Sequence, residues 1–150
     1  MLTLGAPPIA EPRSPEPARP ASYTWSVPSE AGTEQTYTLY RRGIELLEDG
    51  DYADATEPLA EAARRAPEKS SVREALGRAY YRAGRFAQAA VEFEAVVETH
   101  HVNDYAHFCL GRALSKTGEV DRARHHLALA SNLRPDRRDY RFYRQMLDFG

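Results

Sequence analysis

The amino-acid sequence predicts an all-α protein: a stack of three helical hairpins, closed by one further helix and preceded by a proline-rich tail. Gly43, Gly77 and Gly111 are spaced by 34 residues, and so are Gly50, Gly84 and Gly118. The same step joins Ala55, Ala89 and Ala123, then Leu59, Phe93 and Leu127, then Tyr52, Phe86 and Val120. A period held by five kinds of position is an internal repeat, each unit of which buries its apolar face only by stacking on its neighbours. No stretch alternates apolar and polar residues as a strand would.

Composition narrows the function classes. The chain has 150 residues, 42% of them hydrophobic and 28% charged, with a net charge of −2. Nothing in that balance draws the whole molecule onto nucleic acid or an anionic membrane. Cys109 is the single cysteine, so no internal disulfide forms and the expected compartment is the cytoplasm. No apolar run approaches the roughly 20 residues that span a bilayer, and the N-terminus lacks the basic start and apolar core of a secretion signal. Arginines outnumber lysines heavily, Lys69 and Lys116 being the only two lysines, which points through codon usage to a GC-rich bacterial source.

Residues 1–35 read as a disordered tail. Seven of the ten prolines lie there, each without a backbone donor and each disfavouring helix at the residue before it. Tyr23, Trp25 and Val27 interrupt the tail, either as stray aromatics or as a segment that docks on the first repeat. From Thr36 the hairpins begin, over residues 36–69, 70–103 and 104–135. The first carries Leu39, Ile44, Leu46 and Leu47 at helical spacing, turns at Gly50, and re-enters helix behind Asp51, an expected N-cap. Its second helix holds Pro58, which removes the hydrogen bond to the Asp54 carbonyl, so that helix is expected to kink, to start late, or to tolerate the defect as an edge element. The second hairpin opens with Ser71-Val72-Arg73-Glu74, a capping-box pattern, and runs through Leu76, Tyr80, Phe86, Phe93 and Val96. The third opens at Asn103-Asp104 and runs through Leu110, Leu114, Leu127 and Ala130. After Pro135, Asp136 is expected to cap a last helix over 136–150 with Tyr140, Tyr143, Met146 and Leu147 on it.

The glycines have mechanical roles. Gly43, Gly77 and Gly111 sit inside helices, where each costs roughly 1 kcal/mol relative to alanine. Three such costs at one phase imply a close approach by the paired helix. Gly50, Gly84 and Gly118 fall at helix ends, where a left-handed residue suits glycine.

These residues resemble the tetratricopeptide repeat. Leu76-Gly77, Tyr80, Gly84, Phe86, Ala89 and Phe93 match its pattern, as do Leu110-Gly111, Leu114, Gly118, Ala123, Leu127, Ala130 and Pro135. The first copy matches at Gly43, Leu46, Gly50, Tyr52, Ala55, Leu59, Ala62 and Pro67, with Arg42 where the family has leucine. The resemblance spans residues 36–135 and implies a right-handed superhelix whose first helices line a concave groove for a protein or peptide. The residues it places there are Tyr37, Tyr40, Arg41, Ile44 and Leu47, then Glu74, Arg78, Tyr81 and Arg82, then Tyr105, Phe108, Arg112, Ser115 and Lys116. Arginine pairs bidentately with carboxylates, and tyrosine and arginine dominate binding hot spots. The expected partner is an acidic segment with apolar anchors, unless these arginines simply pair with Glu74 and its neighbours. Family members that grip chaperone tails use a lysine and asparagine clamp, and Tyr40 and Ile44 stand at its first-repeat positions, so a chaperone tail is not the expected ligand.

Other chemistry is poorly supported. His100 with His101, and His125 with His126, are adjacent in sequence and share no helix face. His107 and Cys109 are two apart, a poor spacing for a metal whose structural sites want four convergent ligands. No phosphate loop, nucleophile elbow or paired catalytic carboxylates are present. The reading is a non-catalytic adaptor without cofactor, metal, small-molecule substrate or membrane attachment. Two alternatives stand beside it. One is a nucleic-acid-associated regulator using Arg137, Arg138, Arg141 and Arg144 with Phe142 and Phe149; the other is a small chaperone for a client protein. The last helix is also a candidate self-association face.

Overall fold

The computed structural model describes residues 31–149, all seven of whose regular elements are helices. They are α1 (Ala31–Glu48), α2 (Tyr52–Arg65), α3 (Ser70–Arg82), α4 (Phe86–Thr99), α5 (Asp104–Lys116), α6 (Val120–Leu133) and α7 (Arg138–Phe149). Consecutive helices pack on each other in sequence order, giving a superhelix of three hairpins and a closing helix. No helix among the described residues is long and apolar enough to cross a membrane.

Each hairpin turns by the same hydrogen bonds. The amide of Gly50 donates to the Leu47 carbonyl and that of Asp51 to Leu46, at 3.1 and 2.8 Å. Gly84 and Arg85 repeat the pair on Tyr81 and Tyr80, and Gly118 and Glu119 on Ser115 and Leu114. This double closure needs a left-handed residue, and the three glycines have φ of +87°, +83° and +88°. The joints between hairpins also repeat: the amides of Ala66, His100 and Arg134 close onto Ala62, Val96 and Ala130.

The buried face of each hairpin is a large side chain of the second helix seated on a glycine of the first. A Cβ on Gly77 would lie 2.6 Å from the Phe93 ring, and one on Gly111 would lie 2.6 Å from Leu127; Leu59 stands closer still over Gly43. Leu59, Phe93 and Leu127 are 0%, 1% and 1% exposed. Ala55, Ala89 and Ala123, all 0% exposed, keep the same helix pair close.

Several local expectations need correction. α1 begins at Ala31 rather than Thr36, so residues 31–35, which the sequence reading gave to the tail, are helical. No proline lies between Pro28 and Pro58, and Thr36 packs inside at 4% exposure with its hydroxyl donating to the Gly32 carbonyl at 2.8 Å. Asp51 holds the N-cap position of α2, yet its side chain accepts no capping bond. The Ser71–Glu74 capping box does not form: α3 starts at Ser70, and Glu74 instead accepts from Asn103 Nδ2 at 2.7 Å. Asp136 does not hold the N-cap position of α7, which starts at Arg138; its two oxygens accept from the Arg134 guanidinium at 2.9 and 2.8 Å. Asn103 does cap, accepting from the Ala106 amide at 2.9 Å. α2 neither starts late nor breaks; it runs continuously through a buried Pro58. Tyr23, Trp25 and Val27 lie outside the described residues.

Gly77→Ala drives a methyl into a Phe93 ring that has no room to move. The packing strain, of order 1–3 kcal/mol, exceeds the gain of about 1 kcal/mol in helix propensity. The expected result is a melting temperature several degrees lower. Phe93→Leu in the same chain should recover part of the loss, as read by calorimetry of both single variants and the double. A Gly77→Ala protein as stable as wild type would remove the close-approach explanation.

Candidate functional site

The first helices of the hairpins form the inner layer of the curve. α1 touches α3 and α3 touches α5, whereas α2, α4 and α6 make no comparable contacts with one another. Helices that approach each other on one side and splay on the other curve toward the first, so α1, α3 and α5 line the concave face.

That face has an apolar end and a basic centre. Tyr40 and Ile44 are half-buried and lie against the core of the first hairpin, with Leu47 buried beneath them. Tyr37 lies under the exposed Arg41, whose guanidinium carbon is 6.0 Å from the ring centroid and which also pairs with Glu45 at 3.5 Å. Arg78 and Arg112 are half-buried at equivalent positions of α3 and α5. Neither has a carboxylate partner among the described residues. Most other arginines are paired: Arg73 holds Glu92 at 2.8 Å, and Arg122 holds Glu94 at 2.6 Å.

Arg112 is held by aromatic faces instead. Its guanidinium carbon lies 4.5 Å from the Tyr143 centroid, 5.0 Å from Tyr81 and 5.6 Å from Phe108. Contact with ring faces holds a guanidinium in place while competing little for its N–H donors. Burial pushes the Tyr81 hydroxyl above its usual pKa, and the Arg112 charge opposes that shift.

Not every expected groove residue is available. Tyr105 and Phe108 are 4% and 2% exposed. Phe108 stacks on Tyr140 at 4.5 Å and meets the edge of Tyr143 at 5.5 Å, so α7 covers it. Arg82 turns off the groove onto α2, donating to the Tyr52 hydroxyl at 2.6 Å. Lys116 sits 5.6 Å over the Phe86 ring, Ser115 is half-buried, and Glu74 is engaged by Asn103. Tyr143 was placed by the sequence reading on the last helix and not in the groove; its contact with Arg112 depends on how α7 packs and left no signal in the repeat.

The histidines meet in a way that adjacency concealed. His107 in α5 and His126 in α6 lie Nδ1 to Nδ1 at 3.0 Å with stacked rings. His107 Nε2 lies 2.8 Å from the His101 carbonyl oxygen, which only accepts, so that nitrogen carries the proton. His107 Nδ1 is then the acceptor and His126 Nδ1–H the donor. Burial, followed by the charges of His107, His125 and Arg122, lowers the His126 pKa to about 4. No group of three or more His, Cys, Asp or Glu side chains among the described residues could hold a metal ion.

This pair sets a pH dependence. The folded pKa lies below the unfolded value of 6.5, so the neutral form stabilises the fold. That stability is complete above pH 6.5 and is lost as pH falls toward 4. The shift amounts to about 3 kcal/mol, reduced by partial solvent access to on the order of 1–2 kcal/mol. Denaturant melts between pH 7.5 and 4.5 should fall more steeply for wild type than for His126→Gln, and parallel curves would refute this.

A family model described as tetratricopeptide repeat matches residues 40–100. No curated protein matches the sequence. Among solved structures, the second tetratricopeptide domain of human RPAP3, in complex with the HSP70 peptide SGPTIEEVD, is 14% identical with a TM-score of 0.73, over 79% of this chain and 98% of that one. The Yersinia enterocolitica type III secretion chaperone SycD, in complex with a peptide of the translocator YopD, is 17% identical with a TM-score of 0.64, over 77% and 88%. The Sgt2 tetratricopeptide domain of Aspergillus fumigatus is 15% identical with a TM-score of 0.70, over 81% and 83%. At these identities the likeness is one of fold. Residues 40–100 thus match the tetratricopeptide repeat model, and the described chain has the fold of tetratricopeptide domains.

Proposed function

We propose that this chain is a non-catalytic adaptor that binds an extended acidic protein segment along its concave face. The observation that carries the reading is the pair Arg78 and Arg112. They occupy one repeat position on neighbouring helices, half-buried and without carboxylate partners among the described residues, and Arg112 lies against the Tyr81 and Tyr143 rings. A half-buried guanidinium is costly unless its donors are satisfied, and a partner's carboxylate fits both in charge and in its two-oxygen edge. Tyr37, Tyr40 and Ile44 offer the apolar anchorage at the first-repeat end. The RPAP3 and SycD domains hold peptides, and the HSP70 peptide combines glutamates with isoleucine and valine. The lysine and asparagine clamp remains replaced by Tyr40 and Ile44, so the segment is not a chaperone tail. The single cysteine and the arginine-rich composition suit work in a bacterial cytoplasm.

The nucleic-acid alternative gains little from the geometry. Arg137 is paired with Asp139 at 2.8 Å, Arg141 bonds the Pro135 carbonyl, and Arg144 lies against Ser131 at 3.3 Å. Basic groups satisfied by their own chain are poor phosphate ligands.

Arg78→Glu with Arg112→Glu should abolish capture of the partner from source-cell lysate while circular dichroism and melting temperature stay near wild type. Two reversed charges facing a carboxylate cost at least about 2 kcal/mol, some thirtyfold in affinity. Unchanged capture by the double variant would sink the reading. A nuclease-sensitive capture that survives it would move attention to the arginines of α7.

A further inference from the structure

We infer that α7 is a fourth wall of the binding groove as well as a cap, and that Phe142, Met146 and Phe149 form an apolar subsite for one hydrophobic side chain of the bound acidic segment. This rests on the groove reading above and adds which further residue of the partner is recognised.

The phase of α7 carries the argument. α7 buries Tyr140 and half-buries Leu147. These stand one repeat step beyond Ala106 and Ala113, which α5 buries completely. Two helices that bury the same phase present the same positions outward. Phe142, Met146 and Phe149 therefore continue the rows of Phe108, Arg112 and Ser115. The link is physical as well as numerical, because Tyr143, next to Phe142, is the ring stacked closest on Arg112, at 4.5 Å. The middle row of the groove then reads Ile44, Arg78, Arg112, Met146: apolar, basic, basic, apolar.

The polarity around α7 separates the two roles. A helix that only caps a stack turns polar groups outward. α7 does this at Arg141, Gln145 and Asp148, the positions matching His107, Gly111 and Leu114, on which α6 packs in the third hairpin. On the groove row it does the opposite. Phe142, Met146 and Phe149 are 57%, 50% and 88% exposed, at i, i+4 and i+7 on one stripe. Three large apolar side chains in water on one stripe mark a contact surface.

The occupant is set by what adjoins the stripe. Arg112 has no carboxylate partner among the described residues and borders it through Tyr143, so a segment whose carboxylate meets Arg112 runs directly onto Met146. Neighbouring helices pack about 8–10 Å apart, and an extended chain advances about 3.3 Å per residue. The recognised apolar residue therefore lies about three positions from the acidic residue on Arg112.

A library of random 16-residue peptides displayed on phage provides the test. It is selected in parallel on wild type, on Phe142→Ser/Met146→Ser/Phe149→Ser and on Arg78→Glu/Arg112→Glu, with circular dichroism confirming each fold and Met146→Ser alone as the milder variant. Wild type should enrich an acidic residue with a large apolar residue about three positions to one side. The serine variant should keep the acidic preference, lose the apolar one, and bind the wild-type peptide roughly tenfold more weakly. The arginine variant should lose the acidic preference. The same motif and affinity on the serine variant would overturn the subsite and leave the groove reading intact. No enrichment on wild type, or a motif indifferent to the arginine reversals, would overturn both. A wild-type dimer in sedimentation that the serine variant reduces to monomer would overturn the subsite in favour of self-association.

Discussion

Three contacts of one kind support everything else: Leu59 on Gly43, Phe93 on Gly77 and Leu127 on Gly111. Each lets a second helix approach a first more closely than any side chain at the glycine would allow. The hairpin angle follows from that approach, and the angle sets which side of each first helix faces its neighbours and which faces the groove. A solenoid lacks the long-range closure of a globular core, so an error at one such contact would tilt every following repeat. The repeated hydrogen bonds of the turns and joints serve the same end by fixing the geometry within and between hairpins.

The groove inherits its chemistry from this regularity. Because the hairpins superimpose at a constant step, residues 34 apart form rows across the concave face, and a row of arginines becomes a charged line without any contact between the two side chains. Several arginines elsewhere are neutralised locally, through Glu61, Glu92, Glu94, Asp136 and Asp139. Arg78 and Arg112 have no such partner among the described residues and share one row of the groove. The rings around Arg112 hold a charged group at a half-buried place, which a solvated surface arginine would not need.

Much of the fold was legible because the repeat writes it three times. A mid-helix glycine seen once is ambiguous; seen at 43, 77 and 111 with a large residue always 16 positions later, it names its own contact. The caps were less legible. Asp51, Ser71 and Asp136 are all good capping types, yet the side-chain cap the third hairpin uses is Asn103, and α2 and α3 have no side-chain capping bond. A cap needs the right position as well as the right residue type, and Asp136 lies two residues ahead of Arg138, where α7 starts, and pairs with Arg134. The histidine pair was hidden for another reason. Adjacent histidines were weighed on their own helices, whereas His107 and His126 are 19 residues apart and meet only because α5 and α6 fold back on each other.

The sequence by itself determined the period, the hairpins, the turn glycines and the family resemblance, since all of these follow from local propensity repeated at a constant step. Only the tertiary structure decided which candidate residues face a ligand. Tyr105 and Phe108 share the repeat positions of half-buried groove residues and are buried, Phe108 because α7 lays Tyr140 and Tyr143 over it. Exposure depends on which helix comes next in the stack as well as on the residue's own phase, and that is a property of the assembled stack rather than of any single repeat.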